Sequence, residues 1–369
     1  MKSPVLGCVA AVALTILLFP ATGLAQAQQP DNSDAPLIPF VSVPNYLKYS
    51  PEMNLGEILG VAENSKGHLV VLNHPGSATT GPLYGNATHQ LLEFDDRGHF
   101  VREIGKGVYG LGYSHAVRFD RYDNLWVVDK GTNAVVKFDP AGYVVLNLGR
   151  RPEGFDPHEH VSQEDARPRD GFFQGPTDVG WDADDNIYVS DGYINSRIAK
   201  LDKHGNWITS WGTYGSEPGQ LSTPHNMQVD RDGNVYVADR SNARIQVFDS
   251  DGNLLRILYL NAPYDKTRQP VLGNPNPNRS DNTEPWTLCI SDGPTQYLFA
   301  SDQEPGRVYK MTLEGKILGM LGESGRQLGQ FNWAHGISCR SEDTLYIADM
   351  NNWRVQKILL YESDSSGDQ

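Results

Sequence analysis

Short runs of alternating apolar and polar residues, separated by tight polar turns, recur along most of the chain. In residues 223–260, turns such as RDGN and SDGN separate four of these runs: HNMQVD, NVYVAD, RIQVFD and LLRILYL. Alternation with a period of two predicts half-buried strands. Asp-Gly and Gly-Asn between such runs predict hairpins, because glycine adopts the positive φ that tight turns require. The stretch therefore predicts one small antiparallel sheet of four strands.

The same pattern occurs six times. Further copies occupy residues 114–149, 175–212, 284–322 and 333–361, and a degenerate first copy covers 54–105. A four-stranded sheet cannot bury both faces alone, and repeats of this length are typical of propeller blades. The last copy lacks a fourth strand, whereas IPFVSV (38–43) is a strand without a blade. We expect an all-β, six-bladed β-propeller, its ring closed by the N-terminal strand added to the last blade, which removes an exposed sheet edge.

The two ends of the chain differ from the repeats. Lys2 precedes an apolar run from Val5 to Phe19 and small residues around Ala27, a pattern typical of a secretory signal peptide. We predict a signal peptide over residues 1–27, a propeller over 28–361 and a disordered acidic tail over 362–369. The protein would then be secreted or periplasmic. A membrane anchor is the alternative, although the apolar run is short for a span; no membrane span is expected in the mature chain.

The chain is acidic, with 31 Lys and Arg against 45 Asp and Glu and a formal net charge of −14 at pH 7. This balance argues against nucleic acid or an anionic membrane surface as a partner.

Two cysteines, Cys289 and Cys339, fall in the first strands of adjacent copies. An oxidising compartment permits a disulfide between them. Their offsets within the repeat differ by one, so their side chains leave opposite strand faces and could meet across the gap between blades. Unpaired thiols are the alternative that we favour at this point.

Three histidines recur at one position of alternate copies. In the second to sixth copies, the first strand begins with His115, Thr177, His225, Trp286 and His335. Because the first strand of each blade lines the central channel, the three imidazoles point at the axis with approximate three-fold symmetry. Such a set matches a three-histidine metal site with an open position, as in catalytic zinc sites. The alternative is that the repeat simply tolerates histidine there.

The ends of the second strands offer further polar residues. The last residue of each is Asn73, Asp129, Asp191, Asp239, Asp302 or Asp349. We interpret this series as structural, with side chains that accept backbone N–H bonds in the following turn. The next positions lie on the histidine face around the channel mouth and carry His74, Lys130, Tyr193 after Gly192, Arg240, Gln303 and Met350. Tyr193 and Arg240 are candidates for proton transfer and charge stabilisation beside a metal; ordinary polar loop residues are the alternative.

Several blocks resemble a known family. FFQGPTDV, DGYINSRI, PGQLSTPHNMQVD and VYVADRSNARIQVFD are similar to the peptidyl-α-hydroxyglycine α-amidating lyases, members of the NHL-repeat propellers. The resemblance implies zinc at His115, His225 and His335, a catalytic tyrosine at Tyr193 and an arginine acting with it at Arg240. It also implies cleavage of a C-terminal α-hydroxyglycine to a peptide amide and glyoxylate.

The sequence departs from the family at some positions. His74 stands where a second active-site arginine is expected, so His74 could contact the metal or substrate instead. Trp333 replaces a methionine, and Gly336 replaces an aspartate of a calcium site. Phe173 and Ile194 stand near two expected disulfide cysteines. Zinc is therefore the expected cofactor, and calcium stays open.

Two functions from different classes remain. The first is a secreted, monomeric, zinc-dependent lyase for a small molecule or a peptide C terminus, with a substrate that can differ from that of the family. The second is a non-catalytic NHL propeller that binds a ligand or protein on the histidine face, which the sequence predicts to be overhung by the long segments 74–90, 150–174 and 261–283. A calcium-dependent lactonase is a weaker third reading, because the axial positions offer histidines rather than acidic residues. The lyase is favoured, and bound zinc would discriminate between the first two.

Overall fold

The computed structural model describes residues 30–75, 89–108, 110–149, 161–267 and 280–361. The predicted signal peptide (1–27) and acidic tail (362–369) lie outside these residues. The described chain is almost entirely β, and it forms the six antiparallel four-stranded sheets that the repeats predict.

Each sheet is one blade, and its strands lie side by side in chain order in the first five blades. Strand β1 is Phe40–Val43. Blades one to three comprise β2 Glu57–Glu63, β3 Leu69–His74, β4 Gln90–Phe94, β5 Phe100–Ile104; β6 Ser114–Phe119, β7 Leu125–Asp129, β8 Ala134–Phe138, β9 Val144–Gly149; and β10 Asp178–Trp181, β11 Ile187–Asp191, β12 Arg197–Leu201, β13 Trp207–Trp211. Blades four to six comprise β14 Pro224–Val229, β15 Val235–Asp239, β16 Arg244–Phe248, β17 Leu254–Leu258; β18 Pro285–Ile290, β19 Leu298–Asp302, β20 Val308–Met311, β21 Ile317–Leu321; and, after the short parallel pair β22 Glu323–Ser324 and β23 Gln330–Phe331, β24 Ala334–Ser338, β25 Thr344–Asp349, β26 Arg354–Leu360.

The first strands form the inner wall of a ring. Contacts run from β2 to β6, β10, β14, β18, β24 and back to β2, so the six blades surround one central channel. Buried side chains of neighbouring sheets fill the gaps between blades, for example Trp126 and Val189 between blades two and three. Fully burying one such large apolar side chain stabilises the fold by about 1.5–3 kcal/mol.

The N-terminal strand lies at the outer edge of the sixth blade. Strand β1 pairs antiparallel with β26, with Phe40 opposite Leu360 and Val43 opposite Lys357. The sixth sheet therefore combines the two ends of the described chain in the order β1-β26-β25-β24.

The aspartates that end the second strands are structural, as predicted, but most of them act on a different segment. Asp191, Asp239 and Asp349 accept backbone N–H bonds from residues that precede the first strand of the same blade. Asp129 accepts bonds from that segment and also from Thr132 in the following turn. The prediction placed all of these bonds in the following turn. The second strand ends beside the entry to the first, because the two strands are antiparallel neighbours, and its terminal carboxylate therefore reaches the segment that precedes the first strand.

The expectation of unpaired cysteines was wrong. Cys289 and Cys339 form a disulfide with a Cα–Cα distance of 6.0 Å. Both cysteines lie at the ends of inner strands of blades five and six, and these two strands are next to each other in the ring. The bond therefore joins two neighbouring blades.

Candidate metal centre

Three histidine side chains converge on the channel axis. His115, His225 and His335 come from β6, β14 and β24, and their candidate ligand nitrogens lie within 4.8 Å of one another. The ring centroids are 4.8, 4.8 and 5.0 Å apart, which is close to three-fold symmetry. In the described residues this is the one group of three or more His, Cys, Asp or Glu side chains arranged to share an ion. The structure thus brings together the three histidines that the repeat phase singles out.

The blades between them fix the tautomer of each histidine. The Nδ1 atoms of His115, His225 and His335 lie 2.7–2.8 Å from backbone carbonyl oxygens of the next blade, those of Thr177, Trp286 and Leu59. A carbonyl oxygen only accepts, so each Nδ1 carries a proton and donates it. Each Nε2 therefore keeps a lone pair directed toward the axis. Metal-binding histidines are commonly oriented by such a bond to the second ring nitrogen.

The electrostatics also favour neutral imidazoles. Burial lowers the pKa of His115 and His225 well below the ordinary value and lowers that of His335 to about 4. The Nε2 of His225 is buried without a hydrogen-bond partner among the described atoms, an arrangement that costs free energy unless a ligand satisfies the atom. The residues thus fit zinc.

Tyr193 stands directly beside this centre. It donates its hydroxyl proton to Nε2 of His115 at 3.2 Å, so the phenol oxygen lies next to a nitrogen that would bind the ion. A glycine allows this placement: a Cβ added at Gly175 would lie 2.7 Å from the Cβ of Tyr193. The amide of Gln163 donates to the carbonyl oxygens of Gly192 and Tyr193, which ties the described part of the long loop before blade three to the site.

Two cationic side chains flank the tyrosine. The Nζ of Lys130 lies 4.3 Å from the ring centroid of Tyr193, and the Cζ of Arg240 lies 5.9 Å from it. Burial raises the pKa of the Tyr193 phenol, while the charge of Arg240 opposes that rise. Burial lowers the pKa of Lys130 to about 8, and the like charge of Arg240 adds to this effect. The sequence predicts Tyr193 and Arg240 as site residues. It places Lys130 at the channel mouth but assigns no function to it.

His74 lies outside the triad. Its Nε2 is 2.9 Å from Nδ1 of His89, whose own Nε2 donates to the carbonyl of Gly112, so His74 donates to His89. The ring of His74 also meets the ring of Tyr113 edge-on, at a centroid distance of 5.0 Å. Burial lowers the pKa of His74 well below its usual value. The sequence pattern gave no signal for His89 or Tyr113, because neither occupies a repeated position.

Two tryptophans line the other side of the centre. The rings of Trp286 and Trp333 are 4.7 Å apart, and Trp286 lies 4.8 Å from the ring of His225. Arg240 stacks over Trp286, with its Cζ 4.7 Å from the centroid. The centre is therefore enclosed by aromatic side chains and by two cations.

Gly336 stands where the resemblance implies an aspartate of a calcium site; it offers no side-chain ligand, and a Cβ there would lie 3.0 Å from the Cα of Gly60. Further along the channel, Arg118 supplies a positive charge of its own. Its guanidinium makes a two-point contact with the Asp178 carboxylate, at 2.8 and 3.1 Å, and reaches the Leu288 carbonyl.

A polar cavity of about 340 Å³ opens at the opposite end of the channel, lined by Glu63, Arg118, Gln228, Arg340 and the disulfide among others. It contains none of the three histidines and lies at the far ends of the inner strands. No helix of the described residues is long and apolar enough to cross a membrane.

Known proteins share this architecture. Residues 221–248, which cover β14 to β16, match the NHL repeat family. The chain is 27% identical over 330 residues to a peptidyl-glycine alpha-amidating monooxygenase of Mus musculus, covering 84% of this chain and 31% of that protein. It is 24% identical over 346 residues to peptidyl-alpha-hydroxyglycine alpha-amidating lyase 1 of Drosophila melanogaster, covering 83% of this chain and 58% of that protein.

Among solved structures, an auxiliary nutrient binding protein from Bacteroides ovatus superposes with a TM-score of 0.57 at 14% identity, covering 88% of this chain and 78% of that chain. This likeness concerns the fold alone. The chain spans about a third of the mouse relative and somewhat over half of the fly relative. The six blades and the NHL repeat make the chain an NHL-repeat β-propeller, and these relatives support the peptidyl-α-hydroxyglycine α-amidating lyases as the family that it resembles.

Proposed function

We propose that this protein is a secreted or periplasmic, monomeric, zinc-dependent lyase that cleaves a C-terminal α-hydroxyglycine to a peptide amide and glyoxylate. The observation that carries the proposal is the set of three neutral, pre-oriented imidazoles with a phenol beside them. The lyase name of the fly relative supports the reaction class. Zinc, export and the substrate are parts of the proposal.

His115, His225 and His335 would hold the zinc ion. When bound, zinc supplies a Lewis acid that polarises the hydroxyl group of the substrate. The aromatic side chains of Trp286 and Tyr193 restrict water around this position, which strengthens the electrostatic interactions inside the pocket.

Tyr193 would act as the general base. Its phenolate takes the proton of the substrate hydroxyl, the carbonyl of glyoxylate forms, and the bond between the carbinol carbon and the amide nitrogen breaks. The phenol of Tyr193 would then pass this proton to the departing nitrogen, so that one O–H and one C–N bond break while an N–H bond and the second bond of the glyoxylate carbonyl form. Arg240 favours the phenolate, because its positive charge lowers the pKa of Tyr193 against the effect of burial.

The test begins with metal content. Elemental analysis of untagged protein should find about one zinc per chain, and N-benzoyl-α-hydroxyglycine should then yield benzamide and glyoxylate in equal amounts. His225→Ala should lose both the metal and the activity. His99→Ala, at a histidine more than half exposed on the outer face, is the matched control and should lose neither. A chain that binds no zinc even after reconstitution would refute the lyase and leave the non-catalytic binding propeller.

A further inference from the structure

The side chain of Lys130 points into the site without a partner of opposite charge among the residues that the structure describes. Its Nζ lies 4.3 Å from the ring centroids of both Tyr113 and Tyr193, so the ammonium sits between two aromatic faces. No carboxylate of the described residues lies within 4.0 Å of it, and none of their atoms accepts a hydrogen bond from it. The adjacent carboxylate of Asp129 is occupied by the N–H groups of Gly112 and Thr132, among others.

Arg240 presents a second cation to the same tyrosine from the neighbouring side. Its guanidinium lies over Trp286 and faces Tyr193, and no salt bridge to a described carboxylate satisfies it. The two charges repel each other, and this repulsion contributes to the lowered pKa of Lys130, while Asp129 and Glu57 act in the opposite direction. Two half-buried cations that converge beside neutral histidines are unfavourable in an empty pocket and become favourable when an anion binds.

We propose that Lys130 and Arg240 form the binding subsite for an anionic group of the substrate, namely a carboxylate on the carbon atom that carries the reacting hydroxyl. The proposal rests on the proposed function and assigns to Lys130 a specificity-determining role. His74 cannot supply this charge: it is paired with His89 and held neutral by burial. A 2-hydroxy acid would thus be recognised through its hydroxyl at the histidine centre and through its carboxylate at the two cations.

A purely structural role for Lys130 makes a different prediction. Cation–π contacts with Tyr113 and Tyr193 would stabilise the fold equally with any ligand, charged or neutral. The subsite, in contrast, must distinguish an acid from its amide. Discrimination between these two ligands is therefore the decisive readout.

The probe is 3-phenyllactate, a 2-hydroxy acid that has no C–N bond at the carbinol carbon and cannot be cleaved; its neutral counterpart is 3-phenyllactamide. Calorimetric titration of both into the zinc-loaded full chain should show tighter binding of the acid. Lys130→Met should weaken binding of the acid roughly 10- to 100-fold and that of the amide less than about twofold. Lys130→Arg keeps the charge and should retain most of the discrimination. Lys203→Met, at an exposed lysine of blade three, is the control and should change nothing.

Equal affinities of the wild-type protein for the acid and the amide would overturn the inference. It would also be overturned if Lys130→Met and Lys130→Arg each weakened binding of the acid and of the amide to the same extent. It is separable from the proposed function. Absence of glyoxylate from N-benzoyl-α-hydroxyglycine, together with a preference for the acid that Lys130→Met abolishes, would refute the lyase and support the anion subsite.

Discussion

Single residues at the centre are placed by backbone groups of other blades. Each of the three histidines donates to a carbonyl of the next blade, and Tyr193 approaches His115 because Gly175 has no side chain in its way. Because inner strands set these partners, the imidazoles are oriented before any ligand arrives. Such pre-orientation reduces the reorganisation that binding and catalysis require.

Tyr193→Phe should separate catalysis from metal binding. The phenyl ring fills the same space, but it cannot accept the substrate proton, so glyoxylate release should fall roughly 10²- to 10⁴-fold. Zinc content should stay unchanged, since all three imidazoles remain. The assay is kcat for N-benzoyl-α-hydroxyglycine with zinc measured on the same sample. Tyr143→Phe, at a tyrosine 72% exposed, serves as the control. Wild-type kcat in Tyr193→Phe would exclude the phenol as the base.

The sequence predicts part of this centre well. His115, His225 and His335 share one position of the repeat, so their convergence follows from the fold alone. Strand direction places Tyr193 and Arg240 at the channel mouth and makes them candidates for proton transfer and charge stabilisation, and the resemblance then implies matching roles. The role of Lys130 could not be predicted, because it depends on the absence of a carboxylate near its ammonium in the described part of the chain, which only the folded arrangement reveals. His89 reaches His74 from outside any repeated position.

At the level of the strands, one polar residue per blade, an aspartate in blades two to six and Asn73 in blade one, connects the end of the second strand to the segment before the first. In blade four, the buried Asp239 accepts bonds from the Ser222 amide, Asn242, Arg244 and Gln246. Arg244 in turn donates to three carbonyls of the loop before β14. This network fixes the loop from which His225 enters the channel.

Asp239→Ala should destabilise the protein by about 3–5 kcal/mol, because it leaves the buried guanidinium of Arg244 without its carboxylate. Urea unfolding monitored by circular dichroism gives the change in the free energy of unfolding. Asp251→Ala, in an exposed turn of the same blade, is the matched control and should change stability by less than about 1 kcal/mol. Equal effects of the two substitutions would contradict the structural role of Asp239.

The strands and their turns were the most predictable elements, because the alternation of period two and the Asp-Gly turns are local signals. The parallel pair β22 and β23 was not predicted, since each strand has only two residues within a loop. The prediction about the disulfide rests on the positions of the two cysteines within their copies of the repeat. Those positions do not reveal how closely inner strands of neighbouring blades approach. The distance of 6.0 Å between the Cα atoms of Cys289 and Cys339 is short enough for a disulfide.

The whole ring is held by bonds between blades as well as by its cores. The Cys289–Cys339 bond spans 50 positions of the chain and joins blades five and six. Cys289→Ala/Cys339→Ala should therefore lower the free energy of unfolding by about 2–4 kcal/mol, largely because the unfolded chain becomes less restricted. Urea unfolding with and without reductant provides the check: the reductant should destabilise the wild type and leave the variant unaffected. An effect of equal size on both would show that it does not act through this bond.

Arg118 links five blades, whereas a contact between two strands links at most two. From blade two, its guanidinium donates to Asp178 of blade three, Asn226 of blade four, and the carbonyls of Leu288 and Ile337 in blades five and six. Asp178 is fully buried and also accepts the Met227 N–H. The arginine thus provides, from within the chain, the positive charge that this ring of oxygen atoms requires.

Arg118→Ala should destabilise the protein by about 3–5 kcal/mol, since the buried Asp178 carboxylate loses its counter-charge. The oxygens left behind are the ligand type that calcium prefers, so millimolar calcium should restore part of the lost stability in the variant and leave the wild type unchanged. Arg121→Ala, on the same blade as Arg118, removes an exposed pair with Asp185 of blade three; it should cost less than about 1 kcal/mol and show no response to calcium. Stabilisation of the wild type by calcium would instead reveal a cation site elsewhere and would contradict the view that Arg118 supplies the charge of the channel.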